Sequence, residues 1–201
     1  MGGNTLSKFK IIYADPPWAY PESGSNPKVH GKHYEMMTLH DICSLPVKHL
    51  TNTDCALFLW VTMPRLLDGI ECLKSWGFNY KTIAFVWVKA NKRCTDLSVF
   101  DPFMGAGSWS RSNAELCLLG FKGKLKRESA GVRQVVYSCI RKHSQKPDEV
   151  RDRIVQLMGD MPRLELFARD RTPGWYVWGN EVKPANRVEN IVAAVLKYNR
   201  R

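Results

Sequence analysis

A chain of 201 residues that is 44% hydrophobic has room for one domain with a substantial core and not for two ordinary ones, so residues 1–201 read as a single domain. The formal net charge of +11 favours polyanionic partners through counterion release, although a basic surface also serves solubility. The longest apolar runs are strand-sized and no leader-like segment opens the chain, which argues against a membrane span and for a cytoplasmic location. Six cysteines without a C-x-x-C pair read as reduced, mostly buried thiols and not as a metal or redox centre.

In chain order, residues 9–14 (FKIIYA) form the first expected strand, and Asp15-Pro16-Pro17-Trp18 follows at once. An acid at the carboxyl end of a strand stands where open α/β sheets bind their ligands. The two prolines fix φ and remove N–H donors, so the Asp15 and Pro16 carbonyls should be held out rigidly, free of local hydrogen bonds. Trp18 adds a flat aromatic face, and acceptors beside a stacking plate suit a planar ring with an exocyclic amine. The competing reading is a strand terminator with a core indole. Residues 21–32 form a long polar loop closed by His30, Lys32, His33 and Tyr34, either a solvated loop or a lid over a substrate.

Thr38 caps a short expected helix that Pro46 ends. Residues 55–61 (CALFLWV) are a buried strand, Pro64 opens a helix to about Trp76 that Gly77 stops, and residues 82–88 form the next strand, running into Lys89. Residues 94–113 are loop-like. Further strands are expected at 115–121, 134–139, 163–168 and 175–178, and helices at 147–158 and 188–198. Strands alternating with helices predict an α/β fold, a mostly parallel sheet flanked by helices. Residues 101–108 (DPFMGAGS) look like a glycine-rich cofactor turn, but they follow a weak strand and open no helix, so they are read as a flexible loop.

Five pieces in order carry a resemblance: residues 14–18 (ADPPW), 109–115 (WSRSNAE), 143–149 (HSQKPDE), 163–169 (RLELFAR) and 178–181 (WGNE). Together they resemble the adenine N6-methyltransferases that include the catalytic subunit of the eukaryotic messenger-RNA N6-adenosine methyltransferase and its bacterial and phage relatives. The resemblance implies a Rossmann-like, S-adenosylmethionine-dependent methyltransferase fold. It is permuted, so that the Asp-Pro-Pro-Trp strand precedes the cofactor half.

By the same resemblance, Asp15, Pro16, Pro17 and Trp18 form the catalytic motif, in which Asp15 and the Pro16 carbonyl receive the adenine amino group. Asp15, Lys146, Arg169, Arg171, Asn180 and Glu181 would bind S-adenosylmethionine; the match at Arg171 is the loosest, because residues 170–174 are shorter than in the eukaryotic enzymes. Tyr34 and Glu115 line the catalytic pocket, and His33 and Trp109 fall on the substrate side. Read from the residues alone, Lys146 is also a solvated lysine before a helix, and 180–181 an ordinary turn. Lys122, with Lys124, Lys126 and Arg127, reads as a phosphate track or a solvated face. Trp18 and Tyr34 are candidates to stack on a base extruded from a duplex, whereas Trp60, Trp76 and Trp87 read as core. The expected partner is nucleic acid, DNA favoured and RNA possible, with the enzyme as a possible homodimer; a silent binding partner of an active enzyme is a further alternative. Neither the segment that holds the cofactor's adenine in the eukaryotic enzymes nor a zinc finger is seen, so RNA targeting is not carried over.

Overall fold

In the computed structural model, residues 8–19, 36–93, 96–105, 107, 109–142 and 144–197 are described; His30, Lys32, His33 and Tyr34 fall outside them. Seven strands form one sheet: β1 (Phe9–Ala14), β2 (Thr51–Val61), β3 (Asn79–Ala90), β4 (Ala114–Lys122), β5 (Val135–Cys139), β6 (Arg163–Leu166) and β7 (Tyr176–Trp178). Their order is β5-β3-β4-β2-β1-β6-β7. Only β4 runs against its neighbours, pairing antiparallel with both β2 and β3.

The apolar runs are continuous because both faces are covered. In β1, Ile12 and Ala14 point into one core and Ile11 and Tyr13 into the other; in β2, Leu57 and Leu59 alternate with Phe58 and Trp60 in the same way. The first core takes residues from α1 (Leu39–Cys43), α2 (Leu66–Ser75) and α4 (Arg187–Leu196), and the second from α3 (Glu149–Met158). Trp60, Trp76 and Trp87 are core residues, as expected. Thr38 caps α1, its hydroxyl accepting from Asp41 N at 3.1 Å. Gly77 ends α2 at φ 85°, where a side chain would be strained.

Expected and observed elements differ mainly at their ends. β2 starts at Thr51 and not at 55, because the polar residues 51–54 are recruited by pairing: Phe9 lies opposite Thr51. β3 likewise extends back to Asn79 against Phe121.

Connectivity sets the place of the site. From β1 the chain moves to β2 on one side, skips a place to β3, turns back into β4 between them, reaches β5 at the edge, and returns through α3 to β6 on the other side of β1. The order reverses at the β1–β6 boundary, and a crevice opens beyond the carboxyl ends of strands at such a point. Antiparallel β4 delivers its amino end to the same edge: Leu116 pairs with Val61, and Ala114 with Val88. Glu115 therefore reaches the carboxyl edge although it begins its strand, and Lys122 is carried to the opposite edge.

Candidate active site

Asp15 leaves β1 directly at this crevice. Its Oδ2 accepts from Lys146 Nζ at 2.8 Å, and the same ammonium lies 3.2 Å from Glu115 Oε2 and 3.2 Å from the Ser144 carbonyl. Three acceptors match the three protons of the ammonium, and the Trp60 ring lies under it at 5.6 Å. Glu115 Oε1 in turn takes Lys89 Nζ at 2.5 Å. The result is a chain of alternating charges, Asp15, Lys146, Glu115 and Lys89, with two of each sign.

Burial is uneven along that chain. Lys146 is 7% and Glu115 6% exposed, while the Asp15 side chain keeps 26%. For Glu115 burial is the largest single influence, but Lys146 and Lys89 together outweigh it and hold that carboxyl below its ordinary range. Asp15 moves the other way: burial raises its carboxyl, Lys146 offsets part of the rise, and Glu115 adds to it. For Lys146, burial is likewise overcome by the two carboxylates, which push its pKa up and keep it cationic.

Two residues at the crevice adopt the left-handed backbone that non-glycine residues rarely take, Ser144 at φ 56° and Phe167 at φ 62°. Such strain persists only where its surroundings enforce it. At Phe167, Ala168 N donates to Trp178 O at 2.9 Å and the Phe167 and Trp178 rings meet edge-on. Gly179 is required by close approach, since a Cβ there would fall 2.0 Å from the Ala168 carbonyl. This contact brings the 180–181 turn against the end of β6.

The crevice holds a pocket of about 240 Å³ lined by Tyr13, Asp15, Lys146, Arg151, Arg169 and Thr172 among others. Asp15, Ser144, Phe167 and Arg169 are shared with a smaller one that adds Pro16, Pro17, Asn180 and Glu181. A third, on the other side of Asp15, is bounded by Pro16, Trp18, Trp60, Glu115 and Lys146. A larger concavity, about 1000 Å³, is an open groove along α4 that includes none of these residues.

Asp15, Pro16, Pro17, Glu115, Lys146, Arg169, Asn180 and Glu181 thus gather in one place, with Arg169 Nε 3.6 Å from Glu181 Oε1. Other expectations need correction. The Pro16 carbonyl is not free of local bonds: it accepts from Trp18 N at 2.9 Å, because the turn after Pro17 folds back on itself, leaving one lone pair for a ligand. Trp18 is mostly a core residue, 6% exposed, its indole N–H bonded to the Trp60 carbonyl at 3.0 Å. Only its edge borders a pocket. Arg171 lines the larger pocket, but its guanidinium is taken by Glu189 of α4 at 2.9 and 3.0 Å. Lys122 stands at the far edge, bonded to Thr51 Oγ1 at 3.0 Å, and lines none of the three pockets around Asp15. Trp109, expected on the substrate side, lines none of the three pockets; it stands fully exposed outside them, in the connection between β3 and β4.

The sequence reading missed Lys89, Trp60 and a buried support under Tyr13. There Arg151 forks onto Glu165 at 2.8 and 2.6 Å and lies over the Tyr13 ring, whose hydroxyl accepts from Trp60 Nε1 at 2.7 Å. A glutamate inside the apolar strand at 163–166 was the available signal, since a buried carboxylate needs a cationic partner.

An open α/β sheet with an acid at its central switch point, facing pockets on both sides, is a ligand-binding α/β domain of the methyltransferase kind. The chain belongs to the MT-A70 family of adenine N6-methyltransferases, whose model matches residues 9–181. It is 34% identical to "Type II methyltransferase M.MunI" of Mycoplasma sp, over 90% of this chain and 81% of that protein. It is 31% identical to "N(6)-adenosine-methyltransferase catalytic subunit METTL3" of Homo sapiens, over 96% of this chain but 31% of that protein. An Arabidopsis thaliana relative, "N(6)-adenosine-methyltransferase MT-A70-like", is 30% identical over 96% of this chain and 26% of its own length. The chain therefore spans about a third or less of these eukaryotic relatives.

Proposed function

We propose that this chain transfers a methyl group from S-adenosylmethionine to N6 of adenine in DNA. The observation that carries the proposal is the position of Asp15. It closes β1 between a polar crevice on one side and a small pocket walled by Pro16, Trp60 and Glu115 on the other.

The polar crevice fits the cofactor. Asn180 offers an amide and Glu181 a carboxylate suited to ribose hydroxyls, and Arg169 a cation suited to a carboxylate. S-adenosylmethionine supplies an electrophilic methyl on a sulfonium. Lys146 has a different part from the one expected of it: its protons are spent on Asp15, Glu115 and Ser144, so it orients the acid.

The adenine amino group is a weak nucleophile because its lone pair is delocalised into the ring. Asp15 Oδ1, which has no hydrogen bond among the described residues, and the remaining lone pair of Pro16 would accept its two N–H bonds. They would favour a tetrahedral nitrogen and stabilise the positive charge that develops as it takes the methyl, the C–S bond breaking to leave S-adenosylhomocysteine as a neutral thioether and one N–H proton then passing to solvent. Because Lys146 and Lys89 already balance Asp15 and Glu115, a neutral base enters without leaving a buried charge unpaired.

DNA is favoured because the chain matches most of a type II methyltransferase but about a third of METTL3. The test is incubation with labelled S-adenosylmethionine and matched DNA and RNA pools, followed by digestion. N6-methyladenine in DNA is the expected product; label confined to RNA replaces the substrate, and label in neither overturns the proposal.

A further inference from the structure

Of the large hydrophobic side chains exposed among the described residues, nine in number, five lie between β3 and β4: Leu97, Val99, Phe100, Met104 and Trp109. Such concentration marks a contact surface. Phe100 is 72%, Met104 71% and Trp109 103% exposed. The connection is nonetheless built. Phe103 N donates to Lys89 O at 2.7 Å, Lys89 N donates to Asn113 O at 2.8 Å, and Pro102 bridges to Ala90. Tyr137 of β5 pins the arm: its hydroxyl accepts from Asp101 N at 2.7 Å, and its ring packs on Phe100 at 5.3 Å, leaving the other face of Phe100 outward.

Both roots of this arm therefore converge on Lys89, whose ammonium holds Glu115 at the candidate site. Charge selects the partner. Lys92, Arg93 and Arg111 are exposed and form no ion pair among the described residues. Against these three cations stand two acids, Asp101, which accepts from Asn91 Nδ2, and Asp96, which accepts from Ser98 N, so the balance stays positive. Exposed aromatics interleaved with cations that form no ion pair among the described residues, on an arm anchored to Lys89, suit unstacked bases and their phosphates.

We infer that the arm, through its described residues 96–105, 107 and 109–111, receives the nucleotides flanking the methylated adenine, with Trp109 and Phe100 as stacking plates and Arg111 on a phosphate. This rests on the function proposed above and goes beyond it: the enzyme grips an opened, locally single-stranded stretch, and the arm sets the preference for flanking bases.

The test pairs Trp109→Ala and Phe100→Ala with oligonucleotides that carry the target adenine between ordinary bases or between abasic sites. Affinity is read by anisotropy, cofactor binding by calorimetry and mass by sedimentation. Each variant should bind the ordinary oligonucleotide roughly fivefold to a hundredfold more weakly, the usual range for one base–aromatic stack. It should lose little on the abasic one and bind the cofactor as the wild type does. Tyr137→Phe, which keeps both plates but loosens the arm, should show a smaller loss. Unchanged binding, equal losses on both oligonucleotides, or a drop in mass that shows the apolar arm to be a contact between copies each overturns the inference. If the wild type methylates nucleic acid while these variants behave like it, only the arm fails; if the wild type methylates none, the underlying function fails.

Discussion

At the scale of single residues, the site is governed by one cation serving two acids. Lys146 lowers the carboxyl of Asp15 against the opposing pull of burial, and Asp15 must be ionised to accept an amine proton. Activity should therefore fall, as pH drops, at a pH above the ordinary carboxylate range. Lys146→Met removes the only close cation bonded to Asp15 among the described residues, so that acid limb should move to higher pH and kcat should fall by about tenfold or more. Lys146→Arg should keep the limb nearer its original place. A pH–rate profile of the three proteins decides the matter, and an unmoved limb in Lys146→Met removes Asp15 as the titrating group. Asp15→Asn should abolish turnover with little change in cofactor affinity, because it keeps shape and Lys146 keeps Glu115. Retained turnover would sink the role given to Asp15.

At the scale of elements, two contacts decide whether the cofactor side is shaped at all. Gly179 packs its backbone against the Ala168 carbonyl, so Gly179→Ala must push the 180–181 turn away from β6. It should weaken cofactor binding by about tenfold or more in a titration and cost roughly 1–3 kcal/mol, the usual effect of overpacking. Glu189 does the matching work for α4. Its side chain is 1% exposed and accepts from Arg171, from Ala185 N at 2.8 Å and from Val177 N at 3.3 Å. Burial raises its carboxyl, but Arg171 and the backbone donors prevail and hold it below the ordinary value. A carboxyl lowered in the folded state stabilises the fold above its unfolded pKa, and that contribution is lost as pH falls through the lower, folded value. Glu189→Gln should then cost about 1–3 kcal/mol in urea unfolding near neutral pH, and the difference from wild type should shrink in acid.

The same elements show how far the sequence could be read. Each strand expected from an apolar run is present, because a sheet buried on both faces demands such runs. Asp15 was legible because a proline pair ends its strand at the edge where ligands bind. Glu115 and Lys122 were not separable by pattern: both belong to one strand, and only the antiparallel course of β4 sends the first to the site and the second away from it. Arg171 is offered as a ligand by the resemblance alone, and nothing in the local sequence ties it to Glu189, eighteen residues on. The left-handed residues Ser144 and Phe167 carry no side-chain signal, since tertiary contacts impose their backbone.

At the scale of the molecule, the excess positive charge is not one surface. Lys124, Lys126 and Arg127 follow β4 at the edge opposite the site, and the seven steps from Glu115 to Lys122 span roughly 23 Å at about 3.3 Å per residue. That is beyond a Debye length at physiological salt, about 8 Å, so these cations add little field at Asp15. Arg111 belongs instead to the arm anchored at Lys89, and Lys92 to the chain that leads into it. Each phosphate neutralised on duplex DNA adds about 0.9 to the slope of log K against log salt, and about 0.7 on a single strand. A triple Lys124→Ala, Lys126→Ala, Arg127→Ala variant should therefore keep the wild-type salt slope and kcat. A Lys92→Ala, Arg111→Ala variant should lower the slope by about 1.4 to 1.8 if both residues meet phosphates. Binding titrations of a short oligonucleotide at several salt concentrations measure both. A slope that falls in the first variant and holds in the second would place the nucleic acid along the far edge of the sheet, and the arm would lose its role.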